Sequence, residues 1–339
     1  MAEAFLRRAR SEREAAEDAL APSATRSRHS RGRARPEPPD DFRTAFERDR
    51  DRIVHSKAFR RLKHKTQVFL NPEGDHYVTR LTHTLQVAQI ARALAAALGL
   101  NEALTEAIAL GHDVGHSPFG HAGEEALAPY FAGGWHHAAQ SVRIYEVLED
   151  RNLTWEVRDG IRAHSWRVRP PPATPEGDCV RFADRIAYLS HDVLDAVRAG
   201  LLATEDLPRT VRAHLGTPGS QWVSRMTRAV VDHSIVVGTV SMGPDTLQVA
   251  QQLRAFLFER LYEADHQAAQ KVAAIGVIRR LVDHYLAHPG QLPASYRDSE
   301  ADLLTRVVDY VAGMTDRFAL LLHARLFQSV GLPVAAPPG

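Results

Sequence analysis

Residues 111–127 read GHDVGHSPFGHAGEEAL. Gly115, Pro118 and Gly120 interrupt any helical period, so this stretch is a loop between two helical segments. The segment before it, EALTEAIAL over 102–110, has helical spacing and an Asn at 101 that can cap its start. His112, His116 and His121 share the loop region with Asp113 and Glu124. Loops on a helical scaffold are where side chains meet a ligand, and so many titratable groups have no packing purpose there.

Outward from the loop, His83 lies 29 residues before His112, and Asp184 lies far beyond it. His83, His112, Asp113 and Asp184 together make a mixed nitrogen and oxygen donor set. Such a set suits a hard or borderline divalent cation, Mn, Mg, Fe, Ni or Zn, and each donor falls on or at the end of a different helix. Around Asp184, positions 184, 188 and 192 form an Asp–Tyr–Asp stripe, while Phe182, Ile186, Leu189 and Val193 lie opposite. A helix with apolar residues on both flanks of its acids is buried nearly all round, and buried carboxylates need a cation or donors. His121 and Glu124 stand three apart at a helix start, an arrangement in which the carboxylate orients the imidazole for general acid or base work. Arg60, Arg61, Lys63 and Lys65 form a cationic run, and Arg80 precedes His83 by three residues, hence on the same helix face.

The periodicity predicts a mainly α protein. Ile53, Phe59 and Leu62 space a short helix, and Leu81, Leu85, Ala88, Leu94 and Leu98 repeat at helical intervals before Gly99, a C-cap. Further helices are predicted near 137–149, 155–163, 178–199, 245–265, 268–287 and 300–328. TQVFL, NPEGD and HYVTR over 66–80 read as one small β-hairpin. Residues 1–41 contain PSATRSRHSRGRARPEPPDD, expected to be a basic, partly disordered arm or one ordered only by a partner. A core over 42–200 and a helical C-terminal region over 201–339 packed on it complete the expected division.

The chain has 339 residues, 44% hydrophobic and 24% charged, the profile of a globular protein. Its formal charge of +1 gives no overall case for nucleic acid or membrane, although residues 1–65 hold 18 Lys and Arg against 11 Asp and Glu. One cysteine excludes an internal disulfide and thiolate-built sites. No apolar run is long enough to span a bilayer, no signal-peptide pattern opens the chain, and a cytoplasmic protein is expected. No GxxxxGK[ST] or GxGxxG is present, so any phosphate must be handled by metal and side chains.

The H…HD…D quartet, with RTAFERDRDRIVHSKAFRRLKHKTQVF, THTLQVAQIARALA, GHDVGHSPFGHAGEEAL, HHAAQSVRIYEVLE, LTWEVRDGIRAHS, ADRIAYLSHDVLDAVRAG, LRAFLFERLY and DYVAGMTDRFAL, resembles the bacterial deoxyguanosine triphosphate triphosphohydrolase-like branch of the HD-domain phosphohydrolases. The likeness runs from about 42 to 328. It implies an HD-domain helical core with additional C-terminal helices, and metal-dependent hydrolysis of dGTP, or of dNTPs more broadly, to deoxynucleoside and inorganic triphosphate. By resemblance His83, His112, Asp113 and Asp184 ligate the metal, His121 helped by Glu124 is catalytic, and His116 and Arg80 contact phosphate. Gln67 reads the deoxyribose, His137 matches the histidine of the family's H-x-x-Q-S string, Tyr188 gates the sugar, and Asp192 holds sugar or phosphates.

The resemblance also implies a homo-oligomer, a hexamer, and leaves an allosteric dNTP open. The chain departs from the family pattern at Ala138, where Asn is usual, at Arg185, where an acid is usual, and in LAPSA and SRHSRGR near the N-terminus. Another HD nucleotidase or phosphodiesterase, a nucleic-acid-binding regulator, and a catalytically silent oligomeric regulator are the rival readings. Gln67 and Tyr188 oppose the first, the lack of an aromatic-interleaved basic motif the second, and the intact quartet the third.

Overall fold

The computed structural model describes residues 7–67, 78–262 and 265–327. Among these residues the secondary structure is helical, in the order α1 (Arg10–Ala16), α2 (Ala45–Val54), α3 (Lys57–Arg61), α4 (Arg80–Ala97), α5 (Glu102–Gly111), α6 (His121–Leu127), α7 (His137–Arg143), α8 (Trp155–Ala163), α9 (Pro175–Arg198), α10 (Arg209–Leu215), α11 (Ser220–Val237), α12 (Pro244–Leu257), α13 (Asp265–Ala287), α14 (Ala294–Arg297), α15 (Leu303–Ala312) and α16 (Asp316–Phe327). One turn of π-helix extends α7 over Ile144–Leu148 and another extends α12 over Phe258–Tyr262. None of these helices is long and apolar enough to cross a membrane.

The local signals act as read. Asn101 accepts the Leu104 amide at 3.1 Å to cap α5, and Gly99, at φ +67°, takes the left-handed conformation that ends α4. Ser56 caps α3 through the Phe59 amide and so splits the single helix expected over 53–62 into α2, α3 and a short 3-10 turn. The helix expected over 300–328 is likewise two, α15 and α16, parted at Gly313–Thr315. The hairpin expected over 66–80 lies mostly on 68–77, outside the described residues. At its base Thr66 and Thr79 form only an isolated antiparallel bridge, and among the described residues there is no sheet.

Two apolar cores organise the helices. The larger is built on α2, α4, α5, α8 and α9 and takes in Trp222, Met226 and Val230 of α11 and Leu253 and Leu257 of α12. The smaller joins Phe119, Ala122, Ala126 and Leu127, from the loop and α6, to Ile278, Leu281 and Val282 of α13, to α15 and to Ala319 of α16. The histidine-rich loop therefore runs from the end of α5, in one core, to α6, in the other.

Residues 7–41, expected as a partly disordered arm, are instead held along the body, and the partner that orders them is the chain itself. Glu176, at the start of α9, accepts from the Thr25 amide and hydroxyl at 2.9 and 2.7 Å and from the Asn101 amide at 3.1 Å. Glu156, at the start of α8, accepts from the Ser30 hydroxyl and the Arg31 amide, each at 2.7 Å. Arg33 pairs with buried Asp49, and the Arg31 guanidinium stacks over Trp155 at 3.8 Å. Arg13, Arg28, Arg35 and Arg43 also reach carboxylates, so much of the positive charge of this segment is met by internal pairs. Composition alone could not reveal this ordering, because Glu156 and Glu176, which hold the arm's amides and hydroxyls, lie more than a hundred residues away in sequence.

Glu156→Ala leaves the Ser30 hydroxyl and the Arg31 amide without an acceptor. It should lower stability by about 1–3 kcal/mol and open the Arg28–Arg35 stretch to trypsin, as limited proteolysis alongside thermal denaturation would show.

Candidate metal centre and catalytic site

Imidazoles are delivered to the centre by helix ends. His112 follows the last residue of α5, and its Nδ1–H donates to the Ala109 carbonyl at 2.7 Å. A carbonyl can only accept, so the proton sits on Nδ1 and Nε2 presents a lone pair. That Nε2 is buried and has no hydrogen-bond partner. His164 repeats the device after α8, donating from Nδ1 to the Ile161 carbonyl at 2.7 Å. His83 lies on the first turn of α4 and places Nε2 3.1 Å from Asp184 Oδ1 of α9. His112 Nε2 is 4.0 Å from the same oxygen and 3.5 Å from Asp113 Oδ1.

His83, His112 and Asp184 thus offer ligand atoms within 4.8 Å of one another, and so do His112, Asp113 and His164. Two donors about 2.1 Å from one cation stand about 3 Å apart at right angles and about 4.2 Å apart when opposed, the range seen here. An orphaned imidazole lone pair among carboxylates is what a divalent cation satisfies, and the residues present fit one.

Asp113 also anchors the polar shell. Its Oδ2 takes a 2.6 Å bond from Arg80, and its Oδ1 lies 3.2 Å from His116 Nε2 and 4.0 Å from His137 Nε2. Burial would raise its pKa, but His116, His112 and Arg80 hold the carboxyl well below the usual range. His116 falls well below the ordinary imidazole value through burial, with Arg80 and His137 adding to it. Burial, with His112 and His137, brings His164 down to about 3. Burial thus favours the neutral form of both imidazoles, the form in which histidine ligates or accepts.

Arg80 is buried and already engaged by Asp113, so its first role is to steady that carboxylate. Its other terminal nitrogen explains Gly120: at φ +56° the position favours glycine, and a Cβ there would stand 2.8 Å from Arg80 Nη2. Gly115 is demanded by packing, since a Cβ would lie 2.3 Å from the His137 carbonyl and the Ser141 amide on α7.

At the rim, Glu124 is shared. One oxygen faces His121 Nδ1 at 3.3 Å; the other accepts from the His137 side chain and amide, both at 2.9 Å. His121 is exposed and belongs to none of the candidate ligand groups. His137 is buried, stacks on His116 at 3.8 Å, and sets its Nε2 3.1 Å from His164 Nε2. Asp192, two turns beyond Asp184, accepts from Tyr262, and burial lifts its pKa to about 7. Tyr188 is half-buried between them, with Arg185 and Arg254 close enough to act on its ionisation. The Gln67 carbonyl lies beside Gly120, and its side-chain oxygen is buried without a partner.

The cationic run 60–65 does not form one phosphate-facing surface. Lys65 is buried, binding the His116 and Ala312 carbonyls and so tying the loop to the C-terminal helices, while Arg61 ties α3 to them through the Gly313 carbonyl at 3.0 Å. Arg60 and Lys63 are exposed. Sequence reasoning passed over His164, Tyr262 and Arg254. For His164 a signal existed: it ends a predicted helix just as His112 does.

Residues 80–189 match the HD domain, and residues 240–325 match the phosphohydrolase-associated domain. A deoxyguanosinetriphosphate triphosphohydrolase-like protein of Caldanaerobacter subterraneus subsp. tengcongensis is 51% identical over 314 residues, covering 91% of this chain and 92% of the relative. The chain belongs to this family. Its namesakes in Desulfatibacillum aliphaticivorans and Clostridium perfringens (strain SM101) are 45% and 44% identical, over 91% and 86% of this chain and 95% and 89% of their own lengths. A hypothetical protein from Aquifex aeolicus, known from a crystal structure, is similar with a TM-score of 0.49 at 18% identity, over 83% of this chain and 68% of that one. As a member of the triphosphohydrolase-like family with an HD domain, the chain is a phosphohydrolase of the HD type, and its His and Asp cluster is suited to a metal ion.

Asp184→Ala removes one donor of the candidate group. It should weaken Mn(II) binding by at least about 10²-fold, measurable by calorimetry on the metal-free protein, with the helix content intact.

Proposed function

We propose that the chain hydrolyses deoxynucleoside triphosphates, dGTP or dNTPs more broadly, to deoxynucleoside and inorganic triphosphate. One observation carries the reading: His83, His112, Asp113 and Asp184 converge with His116, His137 and the His121–Glu124 pair on a single site in a chain of this family. The four residues would hold a divalent metal, which when bound polarises a phosphoryl oxygen and makes water a stronger nucleophile.

The chain's own residues account for the rest. Glu124 accepts from His121 Nδ1, so in the imidazolium form the second proton sits on Nε2 and passes to the departing 5′ oxygen, leaving a neutral imidazole still bonded to Glu124. The link from Glu124 to His137 fixes the carboxylate that does this orienting. Arg80 holds Asp113 in position, and His116, neutral, lies where it can contact a phosphate. Arg185 and Arg254 have no carboxylate within ion-pair distance among the described residues and stand beside Tyr188, placed to meet the triphosphate. Tyr188 closes against the sugar from α9 and Gln67 from the other side, with Asp192 fixed by Tyr262. In this reading the enzyme works in the cytoplasm, in keeping with a single buried free cysteine, and as a homo-oligomer by its family resemblance.

Incubation with each dNTP and Mn(II) or Mg(II) should release triphosphate; release of diphosphate or orthophosphate instead would point to another HD nucleotidase. His121→Ala should lose on the order of 10²-fold or more in turnover while retaining metal. Tyr188→Ala opens the sugar wall, so the preference for dGTP over GTP in kcat/KM should shrink by roughly tenfold or more; an unchanged ratio in a folded, metal-loaded variant would remove the gate from Tyr188.

A further inference from the structure

Trp166 stands two residues beyond His164, so the segment leaving α8 reaches the centre and then the flank of α9. The indole N–H donates to the Arg181 carbonyl at 3.2 Å, and the ring meets Phe182 edge-on at 5.1 Å, which locks it against α9. Arg181 and Arg185, one helical turn apart, both set their guanidinium carbons over this one ring, at 4.2 and 4.0 Å. Among the described residues Arg181 has a single carboxylate partner, Asp178 at 3.3 Å, and Arg185 has none. The Nε atoms of both, and Nη2 of the buried Arg181, lack hydrogen-bond partners.

Two guanidiniums crowded on one ring repel each other, and burial of their N–H groups without acceptors adds to the cost. The negative face of the indole offsets part of that cost. A polyanion arriving beside Asp184 and Tyr188 would remove the remainder. Such an arrangement stiffens a long side chain before the ligand binds, so less freedom is lost on binding.

We propose that Trp166 is a positioning residue for the substrate's triphosphate: its ring face holds the guanidinium of Arg185, the residue that follows Asp184 on α9, ready to donate to the β and γ phosphates, with Arg181 bracing it from the preceding turn. The inference rests on the reading that Arg185 meets the triphosphate. It goes further in assigning a recognition role to an aromatic residue that touches no substrate.

Inorganic tripolyphosphate, titrated calorimetrically in the presence of Mn(II), tests binding without turnover. Trp166→Leu should weaken it about tenfold and raise KM for dGTP by a similar factor, with kcat within about twofold; Trp166→Phe, which keeps an aromatic face, should stay within about threefold of wild type. Unchanged affinity in a folded Trp166→Leu protein overturns the proposal, as does a Phe variant as weak as the Leu variant. Should Trp166→Leu fail to fold, the emission assigned to Trp166 by difference from Trp166→Phe decides. Tripolyphosphate should perturb that emission in the wild type and not in Arg185→Gln, and a perturbation that survives in Arg185→Gln overturns the proposal. Wild type that binds no tripolyphosphate overturns the triphosphate reading and the proposal together, whereas binding indifferent to Trp166 overturns the proposal alone.

Discussion

A buried carboxylate, Asp113, is the constraint on which the rest of the structure turns. An ionised carboxylate taken out of water costs several kcal/mol unless its oxygens are answered by donors or cations. Here one oxygen is answered by Arg80 at 2.6 Å and the other is ringed by His116, His112 and His137. Those partners come from the start of α4, the end of α5, the loop beyond it and α7. To satisfy Asp113 the chain must bring all of them to one point, and Asp184 and His83 complete the same cluster from α9 and α4.

Around that point the helices act as aiming devices. The last turn of α5 and the last turn of α8 each leave carbonyls without helical partners, and His112 and His164 use one of them to fix both ring orientation and tautomer. The lone pairs then face inward without further help. The N-terminal segment contributes from outside: the acids that open α8 and α9, Glu156 and Glu176, are bound by backbone and hydroxyl groups of residues 25–31. The arm thus clasps the two helices that deliver His164 and Asp184. The second core, through Phe119 and α6, anchors the other end of the histidine loop, and Lys65 and Asp316 stitch the two together.

The candidate site residues are legible in the sequence because their types are costly anywhere but in a site. His83, His112, Asp113 and Asp184 stand out in the sequence as a donor set, and His121 with Glu124 as a pair three residues apart; the structure brings all six into one neighbourhood. Helix identity was equally legible where apolar spacing was long and capped, as in α4, α5 and α9. Less visible were breaks made by a single capping hydroxyl, such as Ser56, and the stretch 201–243, where α10 and α11 form although no helix was read there. Trp222, Met226 and Val230 of α11 sit at i, i+4 and i+8, a stripe that gains meaning only when the first core is there to receive it.

By itself the sequence determined the helical class and the family, and it singled out the candidate donor set and the His121–Glu124 pair, because each depends on residue type and short-range spacing. Tertiary structure alone decided which groups share a partner. It joined Glu124 to both His121 and His137, turned Lys65 inward to bind carbonyls, engaged Arg80 with Asp113, and added His164 to the centre. It also ordered an arm whose composition reads as unstructured, by pairing its amides and hydroxyls with acids more than a hundred residues away. The physical reason is common to all of these. Burial makes an unpaired charge or polar group expensive, and the partner that removes the cost is chosen by proximity in space, which short-range pattern does not encode.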